Sequence, residues 1–250
     1  MHLAETTWPD AADADADLAV LPVGSTEQHG PHAPLSTDAL SAEAVAEAGT
    51  DAYDDEVAIA PTLPYGVSEE HRHFSGTLWL SPDTFRDAVR EIVRSLAHHG
   101  WDRVVLVNGH GGNADALREV AASVTREGLA RVAAFTWFDA VDPADLGDAA
   151  DSETMGHAGS VETSVLMAHA PHLVREDRLE DAREGASDGW GEWVSGSNLA
   201  YDSAEFTENG VVGDPSTATA ERGEELAAAA ADALAALLSA VADRDVAPDR

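Results

Sequence analysis

Leu21-Pro22-Val23-Gly24-Ser25-Thr26-Glu27-Gln28-His29-Gly30-Pro31-His32, running on to Asp38, is where an apolar strand gives way to a polar turn. The strand is Leu18–Val23, a short aliphatic run closed by Gly24, as expected when both faces of a strand are buried. Glu27 and His29 are two residues apart, so in extended backbone their side chains project to the same side. Asp38 follows a loop tightened by Pro31 and Pro34. Carboxylate and imidazole this close together past a strand end suit a divalent transition metal. Taken alone, Glu27 and His29 also fit a plainer reading, a polar turn whose histidine caps a neighbouring group.

Working outward, residues 1–17 read as an acidic, alanine-rich lead-in. Asp38–Ala48 reads as a helix and Val57–Ala60 as a second strand closed by Pro61. Residues 61–81 form a long irregular stretch, of the kind that carries function inside compact domains. Ser81-Pro82 starts a helix with Ser as N-cap and Pro at its first position. Phe85, Val89, Ile92, Val93 and Leu96 recur at helical spacing, and Gly100 ends the run. Val104–Val107 is a third strand and leads directly into Asn108-Gly109-His110-Gly111-Gly112-Asn113, with a helix predicted over Ala114–Glu127. A fourth strand is predicted over Val132–Phe138, an acidic loop over 139–153, and a helix opening in Met155–Ser164 and running to His169. Residues 170–215 show no firm element. Ser216 or Thr217 is expected to cap a long alanine-rich helix reaching Ala242. Strands alternating with helices predict an α/β fold with a mostly parallel sheet and helices on both faces. Without a linker or internal repeat, the whole of residues 1–250 is expected to form one domain.

Composition narrows the function. The chain has 14 Lys plus Arg against 47 Asp plus Glu, a formal charge of −33, and every cation is Arg. With the acids spread among periodic apolar segments, the pattern points to adaptation to high salt rather than to disorder. At about 1 M salt, screening over roughly 3 Å removes the self-repulsion of such a surface. The expected setting is the high-salt cytoplasm of a halophilic archaeon. No basic patch exists, so nucleic acid is not an expected partner. No run of eighteen apolar residues and no basic-plus-apolar leader occurs, so neither a membrane span nor a secretory signal is expected. With no cysteine, metal ligands must be His and carboxylate. Ser25 lacks a GxSxG elbow, which argues against a serine hydrolase.

Ligands of parallel sheets bind beyond the carboxyl ends of the strands. His110, between glycines at the end of the third strand, adds an imidazole to the edge where Glu27 and His29 stand. His157 and Glu162, five residues apart around a helix start, can face the same cleft. The plainer readings are a helix-start charge for Glu162 and a locally bonded loop imidazole for His157.

LPVGSTEQHGPHAPLSTD (21–38), LPYGVSEEHRHFSGT (63–77), NGHGGN (108–113), HAGSVETS (157–164) and NGVVGDP (209–215) together resemble the creatininase (creatinine amidohydrolase) family over about residues 20–220. The resemblance implies a three-layer α/β/α sandwich, a homo-oligomer, commonly a hexamer, and two divalent metal ions per chain (zinc, manganese or iron). It implies Glu27, His29, Asp38 and His110 as metal ligands, with Asp38 bridging. Creatininase proper has a further glutamate two residues after the NGH histidine, where this chain has Gly112. The NGHGGN branch takes that carboxylate from the position of Glu162, and the departure points away from creatinine as substrate. His157 matches the family's catalytic or substrate-contacting histidine, with Glu162 beside it. The implied chemistry is hydrolysis of a non-peptide amide C–N bond of a small molecule by a metal-bound hydroxide. Within the branch, a formamidopyrimidine nucleotide deformylase of flavin and deazaflavin biosynthesis is the favoured expectation. Creatinine amidohydrolase and a peptidase trimming a mycofactocin-like precursor are the alternatives. Glu70, His71, Arg72 and Gly111 are expected to contact substrate, with Arg72, the glycine-rich turn or backbone amides available for a phosphate. A solvated acidic loop is the plainer reading of residues 69–73.

Overall fold

The structure, a computed structural model, describes residues 1–141 and 156–246. Four strands form one parallel sheet: β1 (Leu18–Val23), β2 (Ala58–Ile59), β3 (Arg103–Asn108) and β4 (Arg131–Thr136), in the order β2-β1-β3-β4. Alternation along β1 assigns its two faces. Ala19, Leu21 and Val23 join Val104 and Leu106 in a core closed by Phe85, Val89 and Val93 of α3 (Pro82–His98) and by Leu117, Val120 and Val124 of α4 (Ala114–Glu127). Leu18 and Val20 join Val105 and Val107 on the opposite face. There they meet Val45 of α2 (Thr37–Asp51), Val161 and Val165 of α5 (Ser160–His169), and Leu226, Leu234 and Leu238 of α7 (Ala220–Ala242). The result is the expected three-layer α/β/α sandwich. α7 is long and apolar enough by length and composition to cross a membrane. Leu226, Leu234 and Leu238 are instead buried in this core.

Several boundaries differ from the sequence reading, each for a local reason. The lead-in is tied down. The Met1 amine donates to Val57 O at 2.7 Å, the Leu3 amide donates to Ile59 O at 2.9 Å, and Trp8–Ala12 forms a short helix, α1. β4 stops at Thr136, because the fully buried Trp137 begins a single 3₁₀ turn through Ala140. α5 begins at Ser160. The cap of α7 is Thr219, whose hydroxyl accepts from the Arg222 amide, while residues 215–217 make a separate turn. Residues 170–215 contain a short helix, α6 (Leu179–Glu184), and a hairpin of β5 (Trp193–Val194) and β6 (Ser197–Asn198). Of the expected acidic loop, residues 142–153 lie outside the described residues.

β1 pairs with β2 on one side and β3 on the other, all parallel. The connections after β1 and β3 therefore diverge at their carboxyl ends and open a crevice between them. Residues 24–38 leave β1 at this point, and the NGHGGN loop leaves β3.

Candidate metal centre

Within this crevice Glu27, His29, Asp38, His110, His157 and Glu162 converge, all buried. The two oxygens of Asp38 face different imidazoles. Oδ1 lies 3.0 Å from His29 Nε2, and Oδ2 lies 3.3 Å from His110 Nδ1. His110 Nδ1 is also 3.2 Å from Glu27 Oε1, and His29 Nε2 is 3.8 Å from Glu162 Oε2. Two donor sets result, Glu27 with Asp38 and His110, and His29 with His157 and Glu162; a third combines Glu27, His71 and His157. Both Glu27 oxygens, Asp38 Oδ2, His29 Nε2 and His71 Nε2 are buried without a hydrogen-bond partner. Unpaired buried polar atoms are costly. The four on Glu27, His29 and Asp38 converge on one cage suited to a divalent cation, with His71 Nε2 at its edge.

The backbone aims these donors. His29 Nδ1 lies 3.2 Å from Glu27 O, and His110 Nε2 lies 2.8 Å from Val67 O, so each ring is anchored by one nitrogen and turns the other inward. Asn108 brackets the β3 loop, accepting from the His110 amide at 3.1 Å and donating to His110 O at 2.7 Å. A β-carbon on Gly109 would lie 2.1 Å from Asp38 O, so only glycine lets this loop close on the start of α2. Ala158 takes a left-handed backbone with φ of 54°, and its amide donates to Glu162 Oε2 at 2.6 Å. Such strain is characteristic of functional sites. His157 is pinned by reciprocal backbone bonds with Val212 of the NGVVGDP segment, at 3.0 and 2.8 Å.

Electrostatics follow from burial opposed by neighbours. Burial alone would lower the His29 imidazole, but the adjacent Asp38, Glu162 and Glu27 carboxylates push it up to about 9. His110 is raised for the same reason by Glu27 and Asp38. Burial pushes the Glu162 carboxyl up to about 7. Burial would also raise Asp38, but His29 and His110 hold it well below the usual carboxylate range. Burial lowers His71 to about 4, and burial together with the His29 charge lowers His157.

A cavity of about 360 Å³ opens onto the cage, lined among others by Glu70, His71, His110, Gly111, His157 and Glu162. Glu70, His71 and Gly111 thus sit where substrate contact was expected. Arg72 does not line this cavity. Its guanidinium pairs with Asp202 at 2.6 Å and with Glu69 at 3.5 Å.

The creatinine amidohydrolase family profile matches residues 4–238. The chain belongs to the creatininase family. It is 36% identical to a mycofactocin precursor peptide peptidase of Mycobacterium ulcerans, over 91% of this chain and 83% of that one. It is 33% identical to a creatinine amidohydrolase of Pseudomonas putida, over 72% and 76%. A crystal structure of creatinine amidohydrolase superposes with a TM-score of 0.82 at 27% identity, covering 96% of both chains. Creatininase structures described as Mn and as Zn-Zn superpose at 0.81 and 0.80.

For a creatininase-family chain, the glycine at 112 is explained by space. A β-carbon there would lie 2.2 Å from Val67 O and 2.6 Å from His110 Nε2, so no carboxylate fits at this position. Glu162 reaches the cage instead. Several contributors went unread in the sequence. Gln28 sits between two recognised residues, and its side chain reaches His71 and His157. Ser203 and the cavity-lining Trp190 lie in the segment without firm elements, and Phe138 and Asp139 follow β4. The one sequence signal for the 210 region was the NGVVGDP motif, whose Gly210 carbonyl receives the Gln28 side chain at 3.0 Å.

Proposed function

We propose that this creatininase-family amidohydrolase uses two divalent ions to cleave a neutral or cationic amide, of the peptide kind for which its mycofactocin-processing relatives are named. The observation that carries the substrate class is the charge of the cavity wall. Among the described residues, Glu70, Asp139 and Glu162 line it and no Arg does, while Arg72 is engaged by Asp202. Among the described residues a nucleotide phosphate finds no side-chain cation on this wall, which weighs against the formamidopyrimidine deformylase expected from the sequence. Gly112 in place of a carboxylate weighs against creatinine.

Glu27, Asp38 and His110 would hold one ion, and His29, Asp38 and Glu162 the other. The two-ion reading is supported by the two Asp38 oxygens facing separate imidazoles. Bound divalent ions would supply Lewis-acid activation of water and of the amide carbonyl. His157 Nδ1, inside the cage 3.7 Å from Glu27 Oε1, is the atom placed to hold a proton and pass it to the leaving nitrogen. Trp190 and Phe138 shape an apolar wall that orients substrate and limits water.

A homo-oligomer in a high-salt cytoplasm completes the reading. The exposed Trp193, Val194, Leu199 and Tyr201 around the hairpin and the charge of −33 support it. The test is a side-by-side assay of the zinc- and manganese-loaded protein in molar KCl on a short peptide amide, creatinine and a formamidopyrimidine nucleotide. Peptide hydrolysis dominating is the expected result. Formate release or creatine formation dominating overturns the substrate class.

A further inference from the structure

We propose that Gln28 is a positioning residue that sets the hydrogens on two imidazoles, so that His157 turns a bare Nδ1 to the cage while His71 turns an Nε2–H to Glu27. The inference rests on the proposed metal centre and adds to it a residue, and a role for His71, that the ligand set does not contain.

The argument is a count of hydrogens among buried groups. Gln28 Oε1 accepts the Gly30 amide at 2.9 Å, which fixes the amide orientation. Its Nε2, with two hydrogens, stands 3.0 Å from Gly210 O, 2.9 Å from His71 Nδ1 and 2.8 Å from His157 Nε2. His157 Nε2 is also 2.7 Å from Gln28 O. The Ser203 hydroxyl lies 2.8 Å from both Glu70 O and His71 Nδ1. Two buried carbonyls, Gly210 O and Gln28 O, and the part-buried Glu70 O therefore need donors, and among the described residues each has one side-chain donor in reach. Gly210 O takes a Gln28 hydrogen, Glu70 O takes the Ser203 hydroxyl, and Gln28 O takes Nε2–H of His157. The second Gln28 hydrogen then has one acceptor left, His71 Nδ1. Placing the hydrogen on His71 Nδ1 instead leaves that Gln28 hydrogen without an acceptor or, where His157 Nε2 takes it, leaves Gln28 O without a donor.

Both rings thus carry the same tautomer and are turned opposite ways. His157 offers a lone pair, on the atom that the proton-transfer reading requires. His71 Nε2, 3.5 Å from Glu27 Oε1, bears a hydrogen directed at a ligand carboxylate. A protonated ring nitrogen does not coordinate, so the set of Glu27, His71 and His157 holds no ion, and His71 acts on the centre by orienting Glu27.

The experiment is long-range ¹H–¹⁵N NMR of histidine side chains in the full ¹⁵N-labelled chain, stripped by chelator and then titrated with zinc in molar KCl. Spectra of His71→Asn and His157→Asn assign the two rings. The expected result is Nε2–H on both rings in the stripped chain, with zinc shifting His29 and His110 nitrogens but leaving His71 Nε2 protonated. In Gln28→Glu, whose carboxylate only accepts, His71 should move its hydrogen to Nδ1. Turnover should then fall at least about 10-fold at unchanged zinc content. Nδ1–H on His71 in the wild type, zinc ligation of its Nε2, or an unaltered tautomer in Gln28→Glu overturns the proposal. Should Gln28→Glu not fold, the wild-type spectra decide. A chain that takes up no zinc contradicts the metal centre, while the stripped-state tautomers still test Gln28.

Discussion

At the scale of the residue, the cage is built from charges that only make sense together. His29 is raised to about 9 in the metal-free chain. Its folded state therefore binds more protons than its unfolded state between about pH 6.5 and 9, so this contribution to stability is present below 6.5 and lost as pH rises through 9. A bound cation needs the neutral ring and displaces that proton. The gap in melting temperature between loaded and stripped protein is therefore expected to widen from pH 6.5 to 9, measured by calorimetry; a constant gap would contradict this electrostatic account. His32 runs the other way. It is fully buried, hydrogen-bonded to Thr163 Oγ1 at 2.9 Å, and lowered to about 4 by burial and the His29 charge. Its contribution is present above about 6.5 and lost as pH falls through 4. Replacing it with Asn should remove acid sensitivity on the order of 3 kcal/mol from a urea titration of the stripped chain between those pH values. Equal slopes in both proteins would refute it.

At the scale of the element, the turns carry the specificity. Gly109→Ala places a methyl 2.1 Å from Asp38 O, so β3 and α2 must separate. A loss of about 1–3 kcal/mol is expected, with metal content falling too, because Asp38 moves with its helix. Full metal occupancy in a folded Gly109→Ala protein would argue against that coupling. Thr219→Ala should cost about 1 kcal/mol by thermal melts and Ser216→Ala much less, since Thr219 caps α7. β1, α3 and α4 were legible from periodicity, and α4 was bounded correctly because Gly128 ends it in the left-handed conformation. β4 was overdrawn because Trp137 and Phe138 look like strand residues. What turns them is burial of one indole, a tertiary fact. Gln28 and Ser203 were illegible for a related reason. Their partners across the fold lie 43 to 182 residues away, and no local spacing announces such a hydrogen bond.

At the scale of the whole molecule, charge and architecture are separable. Arg side chains pair locally at the surface, as Arg86 does with Asp83 and Arg118 with Asp139. Exposed pairs of this kind contribute little, and 14 cations cannot match 47 acids. Melting temperature is expected to rise between about 0.1 and 3 M KCl, and an unchanged value would remove the halophilic reading. The sandwich meanwhile brings the loops after β1 and β3 and the start of α5 to one crevice, where donors from these three segments meet. The central claim is that this cage holds the ions on which amide hydrolysis depends. It is tested most directly by counting metals per chain and assaying hydrolysis in wild type and Asp38→Asn, after chelation and after reloading with zinc or manganese in high salt. About two ions per wild-type chain are predicted, with activity abolished by chelation and restored by metal. Asp38→Asn should retain its fold but lose bound metal and at least about 100-fold in turnover. Full activity in the chelated wild type, or in metal-free Asp38→Asn, would contradict the account.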